Sequence, residues 1–358
     1  MLVKAWRASV APPRPGGAVM AATSHDVARL AGVSQPTVSR ALRGEPGVAL
    51  ETRQRVEDAA RTLGYVASQL GRSLATLRTR RIGIVAAELT NPFYPHLVEP
   101  LHDHFERAGY RSVLYAERED SRVAFAELVD GSLDGIVLTT TLMGSPLPKA
   151  LLQRGMPFVF LNRENEERAA DAVVMDNDYG AVLVADLIAG LGHRHVGAVL
   201  GPLSTSTGSQ RETGFRRGLA GHGLELLEKA TARGPFAFAA GRAGLRSLLA
   251  LTPAPTALFC ANDVLALGAL DEATRLGVRV PEDLTIVGFD DISMSSMARF
   301  NLTTVHCDLA RLVADAADLL LKRIADPGRP HNRIVQQPEL ILRGSHAPPA
   351  AGPGPGHS

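Results

Sequence analysis

Gln35, Thr37, Ser39 and Arg40 place four hydrogen-bonding side chains within six residues, inside the segment T-S-H-D-V-A-R-L-A-G-V-S-Q-P-T-V-S-R that runs from Thr23 to Arg40. Carried on one outward helix face, such groups read base edges in a DNA major groove, and Arg40 suits a bidentate pair with guanine. The elements that must position them are legible in the same letters. Val27 and Leu30 recur at helical spacing and predict an inward stripe, while Ala28 is small where a second helix crosses. Gly32 supplies the backbone freedom of a tight interhelical turn. Ser34 is placed to cap the next helix, which begins near Gln35, and Pro36 falls in the first turn, where a missing N–H costs little. Val38 and Leu42 then face inward. Thr23, Ser34, Gln35, Pro36, Thr37, Ser39, Arg40 and Arg43 form the expected DNA-contacting set, Pro36 through apolar contact only. The competing interpretation is a helical hairpin that touches no nucleic acid.

Charge favours DNA. Met20 to Arg81 holds ten Lys and Arg against five Asp and Glu, whereas the residues beyond carry 25 bases against 32 acids, so a formal net charge of +1 conceals a basic head on an acidic body. A basic head is the footprint of phosphate binding, and an acidic body discourages wrapping nucleic acid around the rest of the molecule.

The body offers positions for ligands rather than for bond-making. It has no G-x-G-x-x-G after a first strand, no G-K-[ST] phosphate loop and no G-x-S-x-G elbow, so no cofactor and no catalytic residue is expected. Cys260 and Cys307 lie in apolar stretches without C-x-x-C or histidine spacing, which argues for reduced thiols and against a metal. His102, His104, His193 and His195 are expected at the surface or in capping roles. Asp290 and Asp291 are adjacent on what reads as an extended segment and should point opposite ways, which disfavours an acid/base dyad.

Apolar runs at Arg81, Ser112, Gly135, Pro157, Val196, Thr256 and Leu284 alternate with helical spacing over 94–108, 179–191, 208–222 and 264–276. That alternation predicts parallel sheets covered on both faces. Its length exceeds one comfortable core, so two lobes are expected. No apolar run reaches 18 residues, so no membrane span is expected. Residues 1–21 read as a disordered extension, or as sequence upstream of a start at Met20, with no secretory signal. Residues 346–358 read as a Pro/Gly tail.

The chain resembles transcriptional regulators of the lactose-repressor (LacI/GalR) family over about residues 22 to 345. The resemblance implies a third helix from Leu50 to Leu63, and a hinge helix in Y-V-A-S-Q-L-G-R-S-L, Tyr65 to Leu74, with Tyr65, Ser68 and Arg72 at the DNA and Leu74 wedged into the minor groove. Ala67 and Gly71 depart from the usual proline and alanine, and glycine in a short helix costs about 1 kcal/mol relative to alanine. The implied architecture is an α plus α/β chain: a helix-turn-helix head (22–66), a hinge helix and linker (67–80), and a two-lobed, Rossmann-like effector domain of the periplasmic-binding-protein type (81–345). Crossovers are expected near Met175, Val305 and Ile334, giving lobe one 81–175 and 306–333 and lobe two 176–305 and 334–345.

The same resemblance carries over a ligand set: Asn91, Phe93 and Tyr94 in N-P-F-Y, Asn162 where relatives often have aspartate, Thr207 and Arg211 in S-T-S-T-G-S-Q-R, Asn262 in A-N-D and Asp290 in G-F-D-D. Asn262 and Asp263 could instead cap the helix starting at Val264. Arg211 and Asp290 are expected to hydrogen-bond a ligand rather than each other, and Asp291 to be a turn residue. Cys307 stands where relatives commonly show glutamine. The segment 116–134 reads as a shortened helix lacking a basic residue that some relatives use. The implied function is a cytoplasmic, homodimeric repressor of double-stranded operator DNA, controlled by a small polar effector of carbohydrate type. A solute receptor or a cleft enzyme would use the same body.

Overall fold

The computed structural model describes residues 22–65, 78–87, 89–117, 125–167 and 169–350. The chain divides into two compact units, Met1–Leu77 and Arg78–Ser358.

In the head, Thr23 opens α1 (Ser24–Ala31) with a capping box, its hydroxyl accepting from Asp26 N at 3.3 Å while the Asp26 carboxylate accepts from Thr23 N at 3.0 Å. Gly32 closes α1 at φ 65°, a left-handed conformation in which a side chain would be strained. The Ser34 hydroxyl accepts from Thr37 N at 3.4 Å and starts α2 (Gln35–Leu42), and α3 (Leu50–Thr62) follows. Val27, Ala28, Ala31, Val38, Ala41, Val56, Ala59 and Ala60 form the core where the three helices meet. Leu30 corrects the expectation of an inward residue, for it is 54% exposed. The buried stripe runs through Val27, Ala28 and Ala31, and at about 100° per residue Leu30 falls roughly a quarter turn off its centre.

The body is built on two six-stranded sheets. One contains β1 (Arg81–Ala87), β2 (Arg111–Glu117), β3 (Gly135–Leu138), β4 (Phe158–Leu161), β5 (Asp171–Met175) and β11 (Arg333–Gln336), in the order β11-β5-β4-β3-β1-β2. The other contains β6 (Val196–Leu200), β7 (Thr231–Arg233), β8 (Ala257–Cys260), β9 (Thr285–Asp290), β10 (Thr303–His306) and β12 (Glu339–Ile341), in the order β12-β10-β9-β8-β6-β7. All pairs are parallel except β10 with β12. In each sheet the order reverses direction beside the first strand, between β1 and β3 and between β6 and β8. Ligands bind outside the carboxyl ends of strands at such switch points.

The chain passes between sheets after Met175, after His306 and after Gln336. The last lies beyond the expected Ile334, because Ile334 pairs with Val173 inside β11. Between the strands run α4 (Pro95–Arg107), the single turn α5 (Phe125–Leu128), α6 (Leu147–Gln153), α7 (Asn177–Gly190), α8 (Ser206–Gly221), α9 (Phe238–Leu249), α10 (Asp263–Leu276) and α11 (Leu309–Ala325).

Two further expectations are corrected together. His193 is buried, its Nδ1 2.9 Å from the Thr256 hydroxyl and its Nε2 2.9 Å from the Ala347 carbonyl. Burial holds the imidazole below its ordinary pKa, against the pull of the Ala347 carbonyl. The C-terminal segment is therefore anchored past residue 346, since Ala347 N also donates to the Thr285 hydroxyl at 3.0 Å and His346 Nδ1 lies 2.8 Å from that of Thr303. Composition alone misread this segment, because its order comes from hydrogen bonds to β9 and β10 rather than from an apolar face.

Paired helices of the second lobe approach through glycines. A Cβ on Gly214 of α8 would sit 2.1 Å from Asp178 O of α7, and one on Gly241 of α9 would sit 2.1 Å from Leu265 O of α10. Backbone cannot yield as a flexible side chain can. Gly214→Ala should therefore lower the chemical-denaturation midpoint of the body by an amount equivalent to roughly 1–3 kcal/mol. An unchanged midpoint would show that α7 and α8 separate freely.

Candidate functional site

Asn91, Phe93, Tyr94, Asn162, Thr207, Arg211, Asn262 and Asp290 surround one cleft between the two lobes, together with Arg163 and Phe236. Each stands at or just beyond the carboxyl end of a strand: the first three after β1, Asn162 and Arg163 after β4, Thr207 and Arg211 in α8 after β6, Phe236 after β7, Asn262 after β8 and Asp290 closing β9. The lobes are closed on each other. Asn91 Nδ2 donates to Phe236 O at 3.4 Å, Met143 N to Ser204 O at 2.8 Å and Glu164 N to the Ser206 hydroxyl at 3.2 Å, while the Arg163 guanidinium lies 5.5 Å from the centre of the Phe236 ring. The free volume is about 20 Å³, so a sugar-sized molecule enters only if the lobes part. A larger concavity of about 380 Å³, lined by Phe238, Leu270, Thr274, Arg299 and Asn301 among others, contains none of the expected ligand residues. The cleft is the better candidate because polar side chains converge on it from many strand ends.

Arg211 is buried, and its partners differ from those expected. Its Nε donates to Asn177 Oδ1 at 2.8 Å, Nη1 to Ala261 O at 2.7 Å and Nη2 to Asp290 Oδ1 at 2.7 Å, and the guanidinium stacks 3.8 Å from the Phe289 ring centre. Arg211 and Asp290 are thus a buried ion pair as well as cleft walls. Burial pushes Asp290 above the usual carboxylate range and Arg211 below the usual guanidinium range, and each is opposed by the other's charge. Removing one partner would leave a buried charge uncompensated, at a cost of about 3–5 kcal/mol.

Asn262 does both things its sequence context allowed: it lines the cleft, and its Oδ1 caps α10 by accepting from Leu265 N at 2.9 Å. Asp290 and Asp291 diverge, Asp291 accepting from Arg343 at 2.7 Å and contacting His306 Nδ1 at 3.0 Å. Their backbone is left-handed, φ 113° and 51°, rather than extended. Cys260 and Cys307 are buried and free, and burial raises the Cys307 thiol to about 12. Cys307 does not line the cleft; its Sγ lies 3.8 Å from Gln336 Oε1.

Arg163 and Phe236 were missed by the sequence reading. Arg163 directly follows Asn162 at the end of β4, a position that could have drawn attention to it. Phe236 has no local signal, because its place opposite β1 arises only when the lobes meet.

On the head, Gln35, Pro36, Arg40 and Arg43 of the expected contact set are exposed, as are Thr23 and Ser34, while Thr37 and Ser39 are half-buried. Arg43 Nε is held 2.8 Å from Glu45 Oε1. Tyr65 is half-buried against the head's core. Ser68, Arg72 and Leu74 lie outside the described residues, as does part of the 116–134 segment.

A three-helix head with an exposed polar helix, and a separate unit whose strand ends converge on a cleft, together define a DNA-binding protein with a ligand-binding body. Residues 23–68 match the lacI family of bacterial regulatory proteins, and residues 185–346 match the periplasmic binding protein-like domain. The chain is 33% identical over 332 residues to the HTH-type transcriptional repressor CytR of Escherichia coli (strain K12), covering 91% of this chain and 96% of that protein. It superposes on a lac repressor dimer bound to operator and the anti-inducer ONPF with TM-score 0.81 at 25% identity, covering 91% of this chain and 99% of the other. The complex of the regulator CelR with cellobiose gives TM-score 0.70 at 30% identity, covering 90% and 99%. The protein belongs to the lacI family of DNA-binding transcriptional regulators.

Behind the cleft, Asp263 is fully buried and accepts from Ile292 N at 2.9 Å, the Ser295 hydroxyl at 2.6 Å and the Thr304 hydroxyl at 2.5 Å. Gly288 leaves room for it, since a Cβ there would come 2.3 Å from Asp263 Oδ1. Burial, then the charge of Asp290, raises its pKa to about 7 from an ordinary 3.8, although these donors pull it down. Between those values the folded body holds a proton that the unfolded chain releases, so stability falls as pH rises through this window. Asp263→Asn, which cannot ionise, should gain melting temperature relative to the native protein most at pH 8, and the difference should shrink as pH falls towards 5. A pH-independent difference would mean that Asp263 stays ionised throughout.

Proposed function

We propose that the protein is a homodimeric cytoplasmic repressor, whose two heads occupy the half-sites of a palindromic operator and whose clefts take a small polar effector of the carbohydrate class. The observation that carries this is the convergence of amide, hydroxyl, guanidinium, carboxylate and aromatic side chains from both lobes on one closable cleft. Such a lining suits a ligand with several hydroxyls and an apolar ring face. Cellobiose in the CelR complex, and ribose bound to a LacI-family regulator of Enterococcus faecium, support the class. Two-fold symmetry of the operator would follow from that of a dimer.

Ligand acts on DNA binding if it favours one lobe arrangement over the other. Leu74 is the proposed minor-groove wedge, and Tyr65, Ser68 and Arg72 are proposed DNA contacts. The test is selection of bound sequences from a random duplex pool, followed by operator titrations in the presence of a carbohydrate panel. Symmetric enriched sites and an affinity that changes with one sugar support the reading. Asymmetric sites, or indifference to every ligand of the cleft, would sink it.

The exposed Arg40 on α2 makes base reading testable. One bidentate arginine–guanine pair discriminates by roughly 1–3 kcal/mol. Arg40→Ala should therefore relax preference at one symmetric base pair of the selected operator, with a smaller loss on random duplex. Equal losses on both would leave Arg40 as a phosphate contact.

A further inference from the structure

Among the described residues, the charged side chains lining the cleft are Arg163, Arg211 and Asp290. Arg211 and Asp290 satisfy each other at 2.7 Å. Arg163 is only 8% exposed, and its Nε is buried with no hydrogen-bond partner. Its guanidinium lies 5.5 Å from the centre of the Phe236 ring, and among the described residues no hydrogen bond or ion pair holds it. The adjacent Glu164 is not available, because Arg333 holds it at 2.7 and 2.9 Å. Asn162, at the end of the same strand, is neutral. Among the described residues, the cleft lining therefore holds one more cationic than anionic charge. A buried charge without a counterion is costly, and a planar guanidinium suits a two-oxygen anion.

Building on the effector reading above, we infer that the ligand is a monoanionic sugar acid, an aldonate or uronate, whose carboxylate pairs with Arg163 while its hydroxyls meet the amides of Asn91, Asn162 and Asn262. One carboxylate balances one uncompensated guanidinium. A phosphate dianion would bring a second negative charge beside Asp290. Arg163 lies close enough to Arg211 to depress its pKa, a repulsion between like charges, and close enough to Asp290 to depress that carboxyl's pKa, an attraction; with two guanidinium groups and one carboxylate, the described lining carries a net positive charge. The Phe236 ring beside the guanidinium leaves its hydrogen-bond donors free for the ligand, since a ring face accepts none of them strongly.

The experiment is calorimetric titration of the full-length protein with D-glucose, D-galactose, D-gluconate, D-galactonate, D-glucuronate, D-galacturonate and D-glucose 6-phosphate. The expected result is that at least one acid binds more tightly than its neutral parent and than the phosphate, by roughly tenfold to a hundredfold, the range of a charge-assisted hydrogen bond. Arg163→Gln, which keeps a donor and loses the charge, should erase that preference, the acid then binding no more tightly than its neutral parent to the same variant. Its melting temperature without ligand should not fall, because an uncompensated charge has been removed. Five results overturn the inference: a neutral sugar bound as tightly as its acid, the phosphate preferred, an acid preference that survives Arg163→Gln, a fall of several degrees in the melting temperature of that variant, or no binding of any compound. Tight binding of a neutral sugar overturns the inference and leaves the effector reading intact. Silence of every compound overturns the inference, and the effector reading is then judged separately by the broader carbohydrate titrations on operator.

Discussion

The Arg211 guanidinium is the interaction on which the second lobe's half of the cleft depends. Three of its nitrogens donate to three elements that are remote in sequence: Asn177 at the start of α7, the Ala261 carbonyl after β8, and Asp290 at the end of β9. With Phe289 beneath it, this side chain on α8 sets where the ends of β8 and β9 lie relative to the first turn of α7. A buried arginine is tolerated only with its donors occupied and its charge matched. The same demand that makes it a sound anchor also constrains any ligand, which meets a cleft wall already hydrogen-bonded from behind.

A second layer of buried polarity supports that wall. Asp263 ties α10 to the 292–295 turn and to Thr304 of β10, and Gly288 exists where a side chain would collide with its carboxylate. The packing of α7 on α8 and of α9 on α10 through glycines brings backbones close enough for such short side chains to reach their partners. Rigidity in this lobe matters for regulation, because a ligand shifts lobe orientation only if each lobe moves as a body.

Much of this was legible in the sequence where the cause is local. Gly32 and Ser34 mark the turn and cap of the head because those positions need a left-handed residue and a short acceptor, and the apolar runs of β1 to β4, β6, β8 and β9 announce strands. Leu30 failed because periodicity finds a stripe but not its edges. The rest was hidden for long-range reasons. Nothing near Arg163 or Phe236 says that the two will meet across a cleft, and His193 looked like a surface histidine until Thr256 and Ala347 enclosed it. Composition marked the C-terminal stretch as a tail, yet hydrogen bonds to β9 and β10 hold its first residues. The ligand residues carried over by family resemblance do assemble at one place, but as a network in which Arg211 and Asp290 serve the protein as well as the cleft.

Coupling between cleft and head is the central claim, and linkage gives it a direct measurement. Operator affinity is measured without ligand and at saturation with whichever sugar or sugar acid titrates the cleft, and the affinity for that ligand is measured on free and on operator-bound protein. If the cleft regulates the head, both affinities change, and by the same factor, typically between about 5-fold and 150-fold. An operator affinity that is unchanged at saturating ligand would contradict it.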